Sequence, residues 1–180
     1  ADDRRRSTAT LISGDSWRWV HFPKCAGTTT EAVLARHFGA DPSIVFDPID
    51  PNHVIWHESV RRREERTGKS LRDKDVIMNF RRLPAWVLSK SFFEERRGGP
   101  QHVRRDLLDC TLHEVDGTVH RPDHYIEHYM GPVAHWLRTE YFAEDFTAIF
   151  SRYLDLSGVD RNELGETENQ GAYSKDLLKW

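Results

Sequence analysis

Residues 17–34, WRWVHFPKCAGTTTEAVL, constrain the fold more tightly than any other stretch of the chain. Trp17, Trp19 and Val20 have the aromatic and β-branched character of a half-buried strand. Pro23, Cys25, Ala26 and Gly27 then break the pattern, and the residues that follow are helix-compatible. The spacing predicts a helix over 30–38 with Val33, Leu34 and Phe38 among its residues, Arg36 and His37 in the last turn, and Gly39 and Pro42 beyond its end. A strand, a small-residue turn and a helix start, in that order, make a cradle for phosphate. Glycine lets the backbone come close, and the free amides of the first helical turn point at an anion. Thr28, Thr29 and Thr30 add hydroxyls, and Lys24 adds a movable positive charge. The same residues would also suit a plain strand-turn-helix corner, with glycine for packing and threonines as caps.

The nucleotide-hydrolysing version of this device, GxxxxGK followed by serine or threonine, places its lysine after the last glycine. Here Lys24 precedes Gly27 by three positions and no lysine follows. Nucleotide hydrolysis and a small-molecule kinase are therefore disfavoured.

The remaining elements read as an α/β chain. Residues 75–80, DVIMNF, form a compact apolar run bounded by charge, the composition of a buried central strand beside the first. Arg81 and Arg82 stand at its carboxyl end, and Pro84 opens a helix carrying Trp86, Val87, Leu88, Phe92 and Phe93. Ligands of open α/β sheets bind at the carboxyl ends of strands, so Arg81 and the loop 23–29 are expected to open onto one crevice. Between these motifs, 40–56 reads as an irregular crossing with a short extended piece at 43–46, followed by a basic helix to about Arg66 closed by Gly68. Later come a short helix over 101–108, a hairpin over 110–120 turning at Asp116-Gly117, and a helix over 122–130. Phe146, Ile149, Phe150 and Leu154 stand at the spacing of a helix's core face.

With 180 residues, 38% of them hydrophobic, the chain suits one domain over 16–180, preceded by a flexible arm over 1–15. A net charge of −3 gives no global attraction to nucleic acid, so any anion-binding surface has to be local. Two cysteines, Cys25 and Cys110, are too few for a disulfide framework, which fits a reducing cytoplasm. No apolar run approaches the roughly 20 residues that span a bilayer, so no membrane partner is expected. His113, His120, His124, His128 and His135 crowd one region, and His124 and His128 share a helical face at i and i+4. Neither an HExxH pattern nor paired cysteines accompany them, so no metal is assigned.

The segment Pro23-Lys24-Cys25-Ala26-Gly27-Thr28-Thr29 resembles the PKTGGTS loop of sulfotransferases, which grips the 5′-phosphate of 3′-phosphoadenosine 5′-phosphosulfate (PAPS). Residues 80–93, FRRLPAWVLSKSFF, resemble the family's second signature, VRNPxxRxxSxY, in which a strand-end arginine and a serine eight residues later hold the 3′-phosphate. Arg81 and Ser89 have that spacing. The proline follows Arg81 by three positions rather than two, and Val87 stands where the second signature arginine would be, so Arg82 joins Arg81 as a candidate. Residues 135–146 are similar to the family's late HWxxxxxYL and E(D)F segment, which implies a further strand and a helix over 144–154 packed against the sheet.

The resemblance spans about 17–155 and implies a three-layer, P-loop-like α/β fold with a mainly parallel central sheet. The activity it implies is sulfuryl transfer to a carbohydrate or other small alcohol, as in the carbohydrate-type branch, with adenosine 3′,5′-bisphosphate (PAP) as product and no metal. It assigns the nucleotide to Pro23, Lys24, Cys25, Ala26, Gly27, Thr28, Thr29, Thr30, Arg81, Arg82 and Ser89, with Asn169, Gln170 and Tyr173 from a late polar loop. Catalysis falls to Lys24 and to a base. His57, in the segment WHES, resembles the GHxS histidine of that branch, with Glu58, Glu31 and His53 as rivals. The reading from another class is a nucleotide- or anion-binding module without catalysis, because so short a chain leaves little material for an acceptor pocket. A homo-oligomer would supply that pocket from a second subunit.

Overall fold

The structure is a computed structural model and describes residues 11–47, 59–96, 112–113, 119–120 and 131–165. The chain divides into two compact units, one formed by Ala1–Phe80 with Met130–Asn169 and the other by Arg81–Tyr129 with Gln170–Trp180.

The first unit is built on an open five-stranded sheet. In chain order its elements are β1 (Leu11–Ser13), β2 (Trp17–Val20), α1 (Gly27–Phe38), β3 (Val45–Phe46), α2 (Val60–Thr67) and β4 (Asp75–Phe80). The second unit contributes α3 (Leu83–Arg96) and a hairpin of β5 (Leu112–His113) and β6 (Val119–His120), after which the chain returns with β7 (His135–Arg138), a 3-10 turn (Thr139–Tyr141), α4 (Phe142–Phe150) and α5 (Arg161–Gly165). The strand order is β3-β1-β2-β4-β7. The β2–β4 and β4–β7 pairs are parallel, and β1 runs antiparallel to both β2 and β3. The chain is thus mixed α/β, with a sheet that is parallel at β2, β4 and β7 and flanked by helices.

Alternation along the strands decides which residues form the core. Trp17, Trp19, Ile77 and Leu137 join Val33 and Leu34 of α1, Phe142, Phe146, Ile149 and Phe150 of α4, and Leu164 of α5 in one buried cluster. Trp17 meets Phe150 edge-on at 5.2 Å between ring centroids, and Phe146 lies 4.6 Å from Phe150. The caps of α2 are local. Ser59 Oγ accepts the Arg62 amide at 3.2 Å, and Gly68 closes the helix in the left-handed conformation at φ 65°.

Several boundaries differ from the expectation. An exposed arm over 1–15 is corrected at Leu11–Ser13, which form β1 with Ile12 fully buried against β2. Two apolar residues carry no period of their own, and pairing with β2 supplies the order. Helix α1 begins at Gly27, three residues before the expected start, because no capping threonine is needed where Ala26 turns the chain. Helix α4 covers Phe142–Phe150 rather than 144–154, and residues 151–154 continue as turns. The extended piece near 43–46 is β3, and the hairpin pairs Leu112 with His120 and His113 with Val119. The helices expected over 101–108 and 122–130 lie outside the described residues.

In the second unit, Ala85, Trp86, Val87, Leu88 and Lys90 of α3 are buried. The Trp86 amide donates to the Arg82 carbonyl at 2.9 Å, setting the first turn of the helix directly after the arginine pair.

Candidate anion-binding site

Strands β2, β4 and β7 run parallel, so their carboxyl ends leave the sheet at one edge. Beyond Val20 the chain passes His21 and Phe22, turns at Pro23, and enters α1 at Gly27. Two non-glycine residues within this turn are left-handed, Lys24 at φ 61° and Ala26 at φ 61°. Each such residue costs about 1–2 kcal/mol relative to ordinary backbone, so the surroundings must impose the conformation. The outcome is a helix that starts abruptly.

No side chain caps that start, and the first turn of α1 holds no acidic residue. The Thr30 amide bonds the Ala26 carbonyl at 3.1 Å as the first intrahelical donor. The amides of Gly27, Thr28 and Thr29 precede it and have no acceptor within the helix. Three such donors at the positive end of the helix dipole favour an anion.

The loop side chains divide by burial. Cys25 is 1% exposed and Thr29 is 4% exposed, which directs any contact with a ligand through their amides. Pro23 is buried and has no amide proton to offer. Lys24 and Thr28 are half-buried. Thr30, expected to face the ligand, turns its hydroxyl into the core instead, where it meets Asn79 Nδ2 at 3.0 Å and the Ala26 carbonyl at 3.2 Å.

Two residues that the sequence reading did not single out shape this loop. A Cβ on Gly27 would lie 2.3 Å from His21 Nε2, so the imidazole fills the space that a side chain at 27 would occupy. Asn79, fully buried near the end of β4, accepts from Trp19 Nε1 at 2.7 Å and bonds Thr30. A carboxamide interrupting the apolar run VIM-N-F was the available signal, since asparagine is depleted in strands.

The other candidates are placed as follows. Glu31 is buried in the second turn of α1. In the second unit, Arg81 is half-buried and Arg82 exposed, and Ser89 is a half-buried residue of α3. His53, His57, Glu58, Asn169, Gln170 and Tyr173 lie outside the described residues, as do His124 and His128.

Toward the same carboxyl edge, Arg138 is tied to Asp145 by two side-chain hydrogen bonds, Nε to Oδ2 at 2.8 Å and an outer guanidinium nitrogen to Oδ1 at 2.7 Å. It also lies 4.5 Å over the Tyr141 ring. This ion pair holds the Asp145 carboxyl below the usual carboxylate range. His37 pairs with Glu163 at 2.8 Å in the last turn of α1, the expected position for that histidine.

At the opposite, amino edge of the sheet, the Tyr153 hydroxyl donates to Asp75 Oδ2 at 2.6 Å and lies 3.0 Å from His135 Nε2. Partial burial first, and Asp75 second, push the Tyr153 hydroxyl up to about 12. Among the described residues no group of three histidine, cysteine or carboxylate side chains is placed to hold a metal, and no helix is long and apolar enough to cross a membrane.

No protein-family model matches the chain, and no curated protein and no solved structure matches it either.

Proposed function

We propose that the chain is a PAPS-dependent sulfotransferase that transfers a sulfuryl group to the hydroxyl of a carbohydrate or other small alcohol. One observation carries the reading: a helix start with no cap and no acidic residue in its first turn, entered through two left-handed non-glycine residues within a PKCAGTT segment. The amides of Gly27, Thr28 and Thr29, which have no acceptor within the helix, have the chemistry that a 5′-phosphate requires. The segment's likeness to the sulfotransferase loop supplies the nucleotide. Arg81, Arg82 and Ser89 follow from the second signature as candidates for its 3′-phosphate.

When bound, PAPS supplies an activated sulfuryl group: the acceptor oxygen bonds to sulfur as the sulfur–oxygen bond to phosphate breaks. The loop amides and Lys24 hold the phosphate oxygens on which charge builds, the electrostatic contribution expected to dominate. The Thr28 hydroxyl adds one donor. The acceptor's proton passes to His57, with Glu58, Glu31 and His53 as the rival bases. The buried Cys25 thiol and the Thr30 hydroxyl take no part in this scheme.

The test is calorimetry with PAP. Wild type should bind, and Lys24→Ala and Arg81→Ala should each weaken binding by about ten- to a hundredfold, the loss of one charge-assisted hydrogen bond. His57→Ala should abolish transfer from PAPS while leaving PAP affinity nearly unchanged. Absence of PAP binding at millimolar concentration would overturn the proposal. Binding without transfer to any of a panel of sugars and alcohols would favour the non-catalytic module, and magnesium-dependent ATP turnover would favour a kinase.

A further inference from the structure

We infer that Asn79 is a positioning residue for the anion loop, a role that rests on reading 23–29 as a phosphate cradle. Burying a carboxamide is unfavourable unless its donors and acceptors are met, and Asn79, Trp19 and Thr30 are all fully buried. The Trp19 indole can only donate, so the atom 2.7 Å from its Nε1 has to be the Asn79 oxygen. That fixes the orientation of the amide. Asn79 Nδ2 then donates to Thr30 Oγ1 at 3.0 Å.

The Thr30 hydroxyl has one proton and two oxygens in reach, the Ala26 carbonyl at 3.2 Å and Asn79 Oδ1 at 3.3 Å. Each oxygen already accepts one other proton, but Nδ2 of the same carboxamide donates to this hydroxyl, so a return bond to Oδ1 would close a small ring with a sharply bent O–H···O angle, whereas the bond to Ala26 is the shorter and is free of that constraint. The proton therefore goes to Ala26. A directed chain results, from Trp19 through Asn79 and Thr30 to Ala26. It begins in β2, crosses β4, and ends on the left-handed residue that turns the loop into α1.

Each link has one polarity, so the chain cannot be reversed or slipped. Its last bond holds the Ala26 carbonyl on the helix axis, where it also receives the Thr30 amide. Relaxation of Ala26 to ordinary backbone would swing that carbonyl away and break both bonds. The loop amides stay aimed because the strand beneath them holds the carbonyl behind them.

The test compares Thr30→Val, which keeps the shape and removes the hydroxyl, with Thr30→Ser, which keeps the hydroxyl. Amide hydrogen exchange by NMR, corrected for intrinsic rates, is read at residues 30 and 31 and at Ile77 and Met78 of β4. Calorimetry is run with inorganic phosphate and with PAP. Thr30→Val should speed exchange at 30 and 31 by about tenfold, leave β4 within about twofold, and weaken both ligands by about tenfold. Thr30→Ser should return all of these to near wild type. Trp19→Phe removes the first donor together with packing volume at a fully buried site, so it is read as exchange at 30 and 31 relative to Ile77 and Met78; a larger rise in the loop than in β4 is expected, and it serves if Thr30→Val does not fold. Wild-type exchange and affinity in Thr30→Val, or an equal rise in β4, would overturn the positioning role. Loop exchange that responds in a protein binding neither phosphate nor PAP would overturn the cradle reading, and this role with it.

Discussion

Gly27→Ala tests whether the His21 ring shapes the loop. The added Cβ would lie 2.3 Å from Nε2, 2.4 Å from Cδ2 and 2.8 Å from Cε1 of His21. Ordinary carbon contacts need about 3.5–4.0 Å, so the ring has to retreat by more than about 1 Å. It cannot do so freely, because it also packs on Trp19 at 5.6 Å between centroids. Overpacking of this kind costs about 1–3 kcal/mol, against a helix-propensity gain of at most about 1 kcal/mol for alanine over glycine. The overlap wins, and the expected net loss is about 1–2 kcal/mol. For a chain of 180 residues that is a fall in Tm of about 2–8 °C. In a His21→Ala background those three contacts are removed, and the same substitution should be neutral or stabilising by up to about 1 kcal/mol. Thermal and urea denaturation of the four proteins, followed by far-UV circular dichroism, measures the coupling, expected at about 2 kcal/mol. Equal losses in the two backgrounds, or a stabilised Gly27→Ala, would refute the account.

Three further outcomes follow from particular contacts. Arg138 holds the Asp145 carboxyl low through side-chain hydrogen bonds, so its contribution to stability is present above about pH 4 and is lost as pH falls through the depressed folded value. Asp145→Asn should therefore shrink the drop in Tm between pH 6 and pH 3, and an unchanged drop would disprove the link. Tyr153 is raised to about 12, so its contribution is full below about pH 10 and is lost as pH climbs toward the folded value. Absorbance titration at alkaline pH should show a late phenolate step that Tyr153→Phe removes, and its survival in that variant would reassign it. Phe146, fully buried between Phe142 and Phe150, should cost about 3–5 kcal/mol on replacement by alanine, measured by urea denaturation, and a loss under 1 kcal/mol would contradict its place in the core.

What could be read from the chain depended on how far apart the cooperating residues are. The stop at Gly68, the apolar strand 75–80 and the glycine at the turn all act through neighbours within a few positions, and each was legible, whereas the cap at Ser59 appears only in the structure. The β5–β6 pairing followed from a local Asp-Gly turn signal. The strand at Leu11–Ser13 was not legible, because its order comes from β2 rather than from its own two apolar residues. Asn79 and Thr30 are 49 positions apart, and nothing in either neighbourhood announces the other. His21 lies only six residues from Gly27, yet packing of a ring against a missing side chain leaves no periodic trace.

The three consecutive threonines show the same limit and its cause. As a string, Thr28, Thr29 and Thr30 are chemically equivalent donors, and all three suited a phosphate. A helix turns successive side chains by about 100°, so they cannot share one direction. Thr28 remains half-buried, Thr29 is buried, and Thr30 turns toward β4, where Asn79 takes its hydroxyl. Burial of Thr30 is not a loss to the site. Two left-handed residues at about 1–2 kcal/mol each would relax in an isolated loop, and the bond from Thr30 to the Ala26 carbonyl opposes that relaxation from below. The donors that face outward and the hydroxyl that faces inward are therefore two halves of one device, and a substitution that frees Thr30 toward the ligand would gain a donor while loosening the three amides beside it.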